Sequence, residues 1–403
     1  MRAEEVLPIL VLNSGSSSIK FSVFEAAQAH ADPQLLLDGE LSDIGSAQTT
    51  LTLSRTGSAE ERHPITATQT LTQAIASVLD AVKAFDISAV GHRIVHPGPK
   101  HSRHERITPQ LLTDLEAAVA FAPLHDPTAI EVVHEAMQRF PAAAHFACFD
   151  TVFHATMPPE ATTYPIPAQY REQGVKRYGF HGLSCESVVC QMRREAALPK
   201  RMVIAHLGSG CSVTALIDGQ SVDTTMGMTP TGGVVMGTRP GDLDPGVVLY
   251  LLRQQKDGDQ ATALEATLNK KSGMAALTNL PNDMRAIRKA ASAGDTNALL
   301  ALKIFTRSVR KAIGSYAWLL GGLDAIVFTG GIGEHDDATR SEVLTGLQAM
   351  GIKLDDSLNS NMTKGMQKIH ATGSTTQVFI VPAQEDLMIA RHVSRMAASQ
   401  PTG

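Results

Sequence analysis

Three glycine-rich turns contain the residues of this chain whose types and spacing suit phosphate chemistry. In the first, Asn13, Ser16, Ser18 and Lys20 alternate with other small residues between two apolar runs. A turn of this composition directs backbone N–H groups, hydroxyls and an ammonium towards one side, as anion-binding turns do. Ser and Gly are also ordinary turn residues, so this segment alone fits a solvated hairpin turn equally well.

Two similar turns recur in the second half of the chain and favour the phosphate interpretation. They contain His206, Gly208, Ser209 and Gly210 in one case, and Gly330, Gly331, Ile332 and Gly333, before a helical pattern, in the other. Glycine lets a ligand approach the backbone, and a helix N-terminus attracts anions. The chain lacks the P-loop pattern, and Asp336 stands where a dinucleotide fingerprint needs its third glycine. We therefore expect phosphate binding of another type.

Charged side chains in loop-like segments could act on such a phosphate. Arg93 and Arg239 lie in stretches rich in Gly or Pro, and a guanidinium binds a carboxylate or phosphoryl group through two hydrogen bonds. Asp150 could orient a nucleophile or hold a metal, and His181 could donate to developing charge. Each also fits an ordinary ion pair, helix cap or core residue, so these assignments depend on the other motifs.

Metal binding is expected at an acidic residue rather than at the histidines. Glu385 follows an apolar run that reads as a strand, where a carboxylate can hold Mg²⁺, commonly through water. The alternative is an acid in the first turn of a helix, matched to the helix dipole. His92, His96, His101 and His104 have no zinc-site spacing and no accompanying cysteines, so zinc is not expected.

Composition argues against several classes of protein. The 403 residues, 43% of them hydrophobic, suffice for two packed domains, and a net charge of −5 argues against a nucleic-acid partner. The best candidate for a membrane span, 318–328, is short and contains Gly321, Gly322 and Asp324. The first residues lack an apolar signal segment and only four cysteines occur, so we expect a cytoplasmic protein with buried thiols.

The segments that carry these residues alternate between strand and helix patterns. Strands are predicted at 9–12, 21–24, 89–94, 145–149, 202–207, 212–217, 325–329 and 378–381. Helices are predicted after Thr108, with Pro109 in the first turn, and over about 297–320 and 338–350. Asp218-Gly219 predicts a hairpin turn. Hairpins mixed with helical crossovers favour α/β domains with mixed sheets.

A domain boundary is expected near residue 150. We place the two domains at 1–150 and 151–384, and we expect a helix at about 385–398 to pack back on the first domain.

Taken together, the motifs resemble those of the acetate kinase family, within the superfamily of actin, sugar kinases and Hsp70. They follow the order of that family along nearly the whole chain. The matching segments are 13–20, 91–96, 123–125, 149–154, 177–182, 222–227, 236–239, 328–334 and 385–391. A single motif of this kind is weak, but the ordered set is highly specific. The resemblance implies two similar α/β domains of the ribonuclease H-like, actin-like ATPase fold around a nucleotide cleft.

The resemblance also implies an activity. Members of this family phosphorylate acetate reversibly with ATP and Mg²⁺ or Mn²⁺, giving acetyl phosphate by direct in-line transfer. The family further implies a homodimer, with no nucleic-acid or membrane partner. A carboxylate is already a competent nucleophile at pH 7, so the transfer mainly needs alignment and charge neutralisation.

By position, the resemblance implies roles for individual residues. Arg93 and Arg239 would bind the carboxylate and the moving phosphoryl group from opposite domains. His181 would stabilise that group, and Asp150 would organise the site and its metal. The phosphate and nucleotide positions are Asn13, Ser16, Ser18, Lys20, His206, Gly208, Ser209, Gly210, Asp283, Arg285, Gly330, Gly331, Ile332 and Gly333. Asn13 and Glu385 fall at metal positions, His125 at a further active-site position, and Val95, Leu124 and Pro230 in the pocket for the methyl group.

Five residues depart from the family pattern, namely Pro97, Cys185, Ser209, Met228 and His335. They leave the catalytic set intact but bear on the preference for phosphoryl donor and acyl chain. A kinase for a longer acid such as propionate is the nearest alternative. An ATP-driven binding module of the Hsp70 or actin type is the alternative from another class, and it would not need two arginines and a histidine beside the γ-phosphate.

Overall fold

Strands and helices alternate through the computed structural model, which describes residues 8–15, 18–26, 32–46, 49–65, 70–121, 126–195, 197–254 and 259–399. The strands are β1 Pro8–Ser14, β2 Ile19–Glu25, β3 Gln34–Ser42, β4 Thr50–Arg55, β5 Glu61–Pro64, β6 Ala89–Ile94, β7 Glu105–Arg106, β8 Ala144–Phe149, β9 Arg201–Leu207, β10 Cys211–Ile217, β11 Gln220–Thr224, β12 Ala325–Thr329, β13 Gln367–Lys368 and β14 Gln377–Ile380. The helices are α1 Leu71–Ala81, α2 Pro109–Ala117, α3 Asp126–Arg139, α4 Pro159–Thr162, α5 Ala168–Glu172, α6 Gly182–Glu195, α7 Pro245–Gln254, α8 Gln260–Lys270, α9 Gly273–Thr278, α10 Met284–Ser292, α11 Thr296–Leu319, α12 Gly330–His335, α13 Asp337–Leu344, α14 Asp356–Ser360 and α15 Glu385–Ala398.

The chain divides into two compact units, and the first comprises Met1–Val152 and Gln384–Gly403. Its sheet has the strand order β5-β4-β3-β2-β1-β6-β8-β7. β1 pairs antiparallel with β2 on one side and parallel with β6 on the other, and β6 in turn pairs parallel with β8. The ends of β1, β6 and β8 therefore meet at one edge of the sheet.

Helix α15 packs against β1 and β6 although it lies far from them in sequence. A glycine on β6 allows this approach, because a Cβ on Gly91 would lie 2.5 Å from Cγ2 of Ile389 and 2.7 Å from Cγ2 of Val393. Such distances are far inside van der Waals contact, so a larger residue would push the helix away from the sheet. Gly91 thereby sets how closely α15 approaches the sheet at Ile389 and Val393.

The second unit, Phe153–Ala383, has a sheet with the strand order β11-β10-β9-β12-β14-β13. β9, β10 and β11 form an antiparallel meander, while β12 pairs parallel with both β9 and β14. The core of this sheet buries aliphatic side chains from α6 and from the central strands, including Val188, Ile204 and Val327. The mixed sheets with flanking helices that the sequence predicts are confirmed.

Local signals explain several element boundaries. Thr108 caps α2, where its side chain accepts a hydrogen bond from the N–H of Leu111, and Pro109 occupies the first helical position as predicted. Asp218 and Gly219 have φ values of 52° and 79° and join β10 to β11, which confirms the predicted hairpin turn.

One predicted helix is shorter than expected. The pattern over 338–350 predicts a continuous helix, but α13 ends at Leu344 and a separate 3-10 turn covers Gln348–Met350. Gly346 lies between them with φ of 79°, a left-handed conformation that ends the helix. In the described ranges, no helix combines the length and the apolar composition that a bilayer crossing needs.

Candidate active site

The end of the first sheet holds a buried pair of opposite charges. Arg93 on β6 and Asp150, directly after β8, lie on neighbouring parallel strands, since Ile94 pairs with Phe149. Arg93 Nε donates to Asp150 Oδ1 at 3.2 Å and Arg93 Nη2 donates to Asp150 Oδ2, which makes the contact bidentate. Burial by itself lowers the pKa of Arg93, but the charges of Asp150 and Glu385 outweigh it and hold that pKa above its usual value. The guanidinium is therefore charged at every working pH.

An amide and two carboxylates adjoin this pair. Arg93 Nη1 donates to Asn13 Oδ1 at 3.2 Å, and Asn13 Nδ2 lies 3.4 Å from Glu385 Oε2 and 3.3 Å from Asp386 Oδ1. Glu385 Oε2 is also 3.9 Å from Arg93 Nε. Residues 372 positions apart thus converge because the first turn of α15 reaches the end of β1.

Asp386 is a member of this group that sequence reasoning missed as a site residue. Its Oδ2 lies 2.9 Å from Ser22 Oγ, which is also 2.8 Å from Asp38 Oδ1. The single hydroxyl proton can be donated to only one of these carboxyl groups at a time. Burial, together with the charge of Glu385, raises the pKa of Asp386 to about 6 against the hydrogen bonds from Ser22 and Asn13, which lower it. The available signal was its position beside Glu385 in the first helical turn.

The first glycine turn is described in part. Lys20 pairs with Asn13 across the β1–β2 hairpin, and the N–H of Gly15 donates to the carbonyl of Ser18 at 2.8 Å, which closes the turn. Val95 follows β6 and is buried. Three predicted site residues, Ser16, Leu124 and His125, lie outside the described residues.

In the second unit, His181 and Arg239 both approach Gly210, and His206 stacks on His181. The rings of His181 and His206 stack with centroids 4.0 Å apart. A Cβ on Gly210 would lie 3.2 Å from His181 Nε2 and 3.5 Å from Arg239 Nη1, so this glycine keeps the space between them open. His181 has φ of 59°, an uncommon conformation for a residue with a side chain.

Hydroxyl groups that the sequence reasoning did not single out orient the two rings. His181 Nδ1 is 3.0 Å from Ser212 Oγ, and His206 Nδ1 is 2.8 Å from Ser184 Oγ. These contacts leave the Nε2 atom of each ring directed away from its serine, since the two nitrogens lie on different sides of the imidazole. His181 Nε2 is therefore the atom that faces Gly210.

The loop of Arg239 is built on close backbone approaches. Arg239 Nη1 donates to the carbonyl of Pro230 at 2.9 Å, which brings a predicted pocket residue next to the predicted phosphoryl-binding arginine. Gly273 has φ of 63°, and a Cβ on it would lie 2.3 Å from the carbonyl oxygen of Met236. These contacts fix the course of the loop that carries Arg239.

The second and third glycine turns lie side by side. β9 and β12 are parallel neighbours with Thr329 opposite His206, so the turns that follow both strands start at the same level. A Cβ on Gly330, whose φ is 76°, would lie 2.8 Å from the carbonyl oxygen of Leu207. A Cβ on Gly331 would meet no atom within 4 Å in the described structure, so its backbone is open to a ligand.

Two features of the nucleotide end bear on the expectations from the sequence. The motif Gly330–Gly333 was predicted as a turn before a helix, but these residues are themselves the first residues of α12. Asp283 and Arg285 bind each other, with Arg285 Nε 3.1 Å from Asp283 Oδ1, and the Arg285 side chain is 92% exposed. In the hydrogen bonds of the described residues, neither side chain joins the Gly330–Gly333 segment.

Known proteins match this chain over nearly its whole length. The model of the acetokinase family matches residues 8–391. The acetate kinase of Deinococcus radiodurans is 39% identical over 393 residues, which cover 96% of this chain and 97% of the relative.

Solved structures match over nearly the whole chain. Porphyromonas gingivalis acetate kinase superposes with a TM-score of 0.82 at 33% identity, covering 97% of this chain and 100% of that one. A propionate kinase from Francisella tularensis gives 0.87 at 34% identity with the same coverage. The predicted fold class is confirmed, and the family match with relatives named acetate kinase supports the predicted activity.

Proposed function

Because the chain belongs to the acetokinase family, we propose that it transfers the γ-phosphoryl group of ATP to the carboxylate of acetate, giving acetyl phosphate and ADP reversibly. The match of the family model over residues 8–391 carries this proposal. The acceptor carboxylate is ionised at neutral pH and needs no general base. The work left to the protein is positioning and neutralisation of charge on the phosphoryl oxygens.

The charged residues of each unit suit one part of that task. Arg93, held by Asp150, presents a guanidinium of fixed orientation, which can bind a carboxylate or phosphoryl group in a planar way. His181 and Arg239, on either side of Gly210, can donate to phosphoryl oxygens as negative charge develops there. We assign these four residues as the catalytic set.

The backbone turns suit the phosphates and the nucleotide. Asn13, Ser16, Ser18 and Lys20 are proposed for the phosphate chain in the first unit. Gly208, Ser209, Gly210 and the segment Gly330–Gly333, with His206, are proposed for ATP in the second unit, which we take as the nucleotide-binding domain. The adjacency of the two turns and the open backbone at Gly331 support this assignment. The proposed roles of Asp283 and Arg285 near the nucleotide rest on family resemblance alone.

Mg²⁺ or Mn²⁺ is proposed at the end of β1. Glu385 and Asp386 would hold the ion through carboxylate oxygens, which hard cations prefer, and Asn13 is the third residue of the proposed site. The placement of these two carboxylates supports this, because both lie beside Asn13 Nδ2, at 3.4 and 3.3 Å. A bound cation would supply charge neutralisation for the phosphates of ATP.

Changing Glu385 to glutamine is expected to raise the Mg²⁺ concentration for half-maximal activity by about 10- to 100-fold, because an amide oxygen is a far weaker ligand. The measurement is a Mg²⁺ titration of initial rates at saturating ATP. Glu25→Gln, an exposed glutamate at the end of β2, is the matched control and should leave the titration unchanged. An unaltered Mg²⁺ dependence in the Glu385 variant would make Glu385 a helix-end acid only.

Acyl-chain preference decides between an acetate kinase and a propionate kinase. Val95 and Pro230 are buried and apolar, and with Leu124 they are proposed to line a pocket of methyl size. One methylene in such a pocket changes kcat/KM by roughly 10- to 200-fold. We expect kcat/KM for acetate to exceed that for propionate by at least about tenfold, and we expect butyrate to react poorly.

The test is ATP-dependent formation of acyl hydroxamate from acetate, propionate and butyrate. Pyrophosphate in place of ATP is the donor control, and we expect no activity with it. An equal or higher kcat/KM for propionate would reassign the chain as a propionate kinase. In that case Pro97→Gly tests whether the restricted backbone next to His96 is the cause.

A homodimer in the cytoplasm is proposed as the working form. Helix α7 contains no buried residue, and Leu249 and Tyr250 are 51% and 61% exposed. Apolar side chains grouped on one helix mark an interaction surface, and a second copy of this chain is the proposed occupant. The low cysteine content supports a reducing compartment.

Tyr250→Glu is expected to shift the protein from dimer to monomer, because a charge in the centre of an apolar interface is desolvated without a partner. Light scattering after size-exclusion chromatography measures the mass. Leu300→Glu, at a half-exposed leucine on α11, is the matched control. A Tyr250 variant that stays dimeric would place the interface elsewhere.

A further inference from the structure

Among the described residues, Arg340 is a fully buried arginine to which the catalytic assignment gives no role. Arg340 lies on α13, is 0% exposed and is the largest of the fully buried side chains. Burial lowers the pKa of Arg340, and the charges of Asp337 and Asp336 oppose that shift. Removing a guanidinium from water is costly unless its donors are satisfied, so its hydrogen bonds must offset that cost.

The bonds of Arg340 go to amide oxygens on two short helices. Nη1 donates to the carbonyl oxygens of Gly333 and Glu334, at 2.9 and 2.8 Å. Nε and Nη2 donate to Oδ1 and to the backbone oxygen of Asn359, both at 2.7 Å. Gly333 and Glu334 belong to the last turn of α12, whose carbonyls have no partner within the helix. Arg340 therefore binds the carboxyl end of α12 with a positive charge, which suits the helix dipole.

The other end of α12 is fixed by the side chain of one of the same residues. Glu334 Oε1 accepts a hydrogen bond from the N–H of Gly330 at 2.9 Å and another from the N–H of Ala383 at 3.0 Å. The backbone of Glu334 is held by Arg340 while its carboxylate holds the start of the helix. The six-residue helix is thus fixed at both ends.

Asn359 fixes the position of the Arg340 guanidinium. Its Nδ2 donates to the carbonyl of Asp337 and to Ser341 Oγ, each at 3.0 Å, and the residue is buried. Both ends of this amide are therefore engaged, which fixes the Oδ1 atom that receives Arg340 Nε. Four acceptors hold the guanidinium in one plane. Because two of them are carbonyl oxygens of α12, the position of the guanidinium determines the position of that helix end.

We infer that Arg340 is a positioning residue for the phosphoryl donor, which sets the place of α12 and with it the open backbone of Gly330–Gly333. This inference rests on the proposed role of that segment in binding the nucleotide. Arg340 is too deeply buried to touch ATP itself, so it acts on the nucleotide through the position of α12. Loss of its bonds should weaken nucleotide binding and leave acetate binding unaffected.

The test is kinetic and uses the full-length protein. Arg340→Lys keeps the charge, but a single ammonium cannot bridge the four acceptors, and Arg340→Met removes every donor at similar length. For either variant that folds, we expect KM for ATP and Kd for ADP to rise about tenfold, with KM for acetate unchanged. Thermal unfolding monitors stability in parallel.

Arg310→Met is the matched control. Arg310 also binds backbone carbonyls, with Nε 2.8 Å from the oxygen of Val343, but it holds the end of α13 and not α12. The Arg310→Met variant should have a lower unfolding temperature but an unchanged KM for ATP. If both arginine variants change KM for ATP alike, or if the Arg340 variants change only stability, the inference is wrong.

Binding of ADP by calorimetry separates this inference from the proposed function. A wild-type protein that binds ADP but does not phosphorylate acetate would contradict the proposed activity, and the Arg340 variants would still be scored on ADP affinity. A wild-type protein that binds no nucleotide would overturn both.

Discussion

Arg239→Ala is expected to lower kcat about 10²- to 10³-fold, the scale for removing a preorganised donor from a developing charge. Arg239 is half-buried, and its Nη1 donates to the carbonyl of Pro230 at 2.9 Å and lies 3.9 Å from Met236 Sδ. We expect Arg239→Ala to fold, so that the loss appears in kcat rather than in the thermal unfolding temperature. Initial rates of acetate-dependent ADP formation and the thermal unfolding temperature are the two measurements.

A matched control separates this effect from the general loss of an arginine. Arg171 likewise donates to a backbone carbonyl, with Nε 3.1 Å from the oxygen of Ile166, but it is exposed on α5. Arg171→Ala should keep normal turnover. Arg239→Lys should recover part of the rate, because it restores charge without the planar pair of donors. Near-normal turnover in Arg239→Ala would remove this residue from the catalytic set.

Arg93→Ala should reduce both activity and stability, which distinguishes it from Arg239→Ala. The catalytic loss should again reach about 10²- to 10³-fold, because Arg93 is proposed to bind the carboxylate or the phosphoryl group. The structure adds a second effect, since Asp150 is fully buried and bonds Arg93 in a bidentate way. Truncating one partner of a buried ion pair costs about 3–5 kcal/mol of unfolding free energy.

The double variant Arg93→Ala with Asp150→Asn isolates the two effects. It removes both charges, so most of the lost stability should return while kcat stays low. Chemical unfolding and steady-state kinetics on the two single variants and the double variant form a complete cycle. If the double variant is as unstable as Arg93→Ala, the stability loss does not come from the uncompensated carboxylate.

The sequence by itself determined the local elements and the family. Thr108-Pro109 starts α2 and Asp218-Gly219 forms a hairpin turn because capping and turn chemistry depend on residues a few positions apart. The family followed from the order of many motifs, and the match over residues 8–391 confirms it. At Gly346 a left-handed backbone conformation ends the helix. The hydrophobic pattern does not report backbone dihedrals, so it predicted a helix that continues to residue 350.

The tertiary structure alone decided which residues meet. Nothing in the sequence shows that Asp386 and Ser22 share a hydrogen bond or that Asp386 adjoins Asn13, because those contacts depend on how closely α15 packs on β6 at Gly91. The same holds for Arg340, whose buried charge is explained only by the carbonyls that end α12. Hydrogen bonds act over about 3 Å, and packing of distant segments sets such distances, whereas sequence patterns report only on neighbours along the chain.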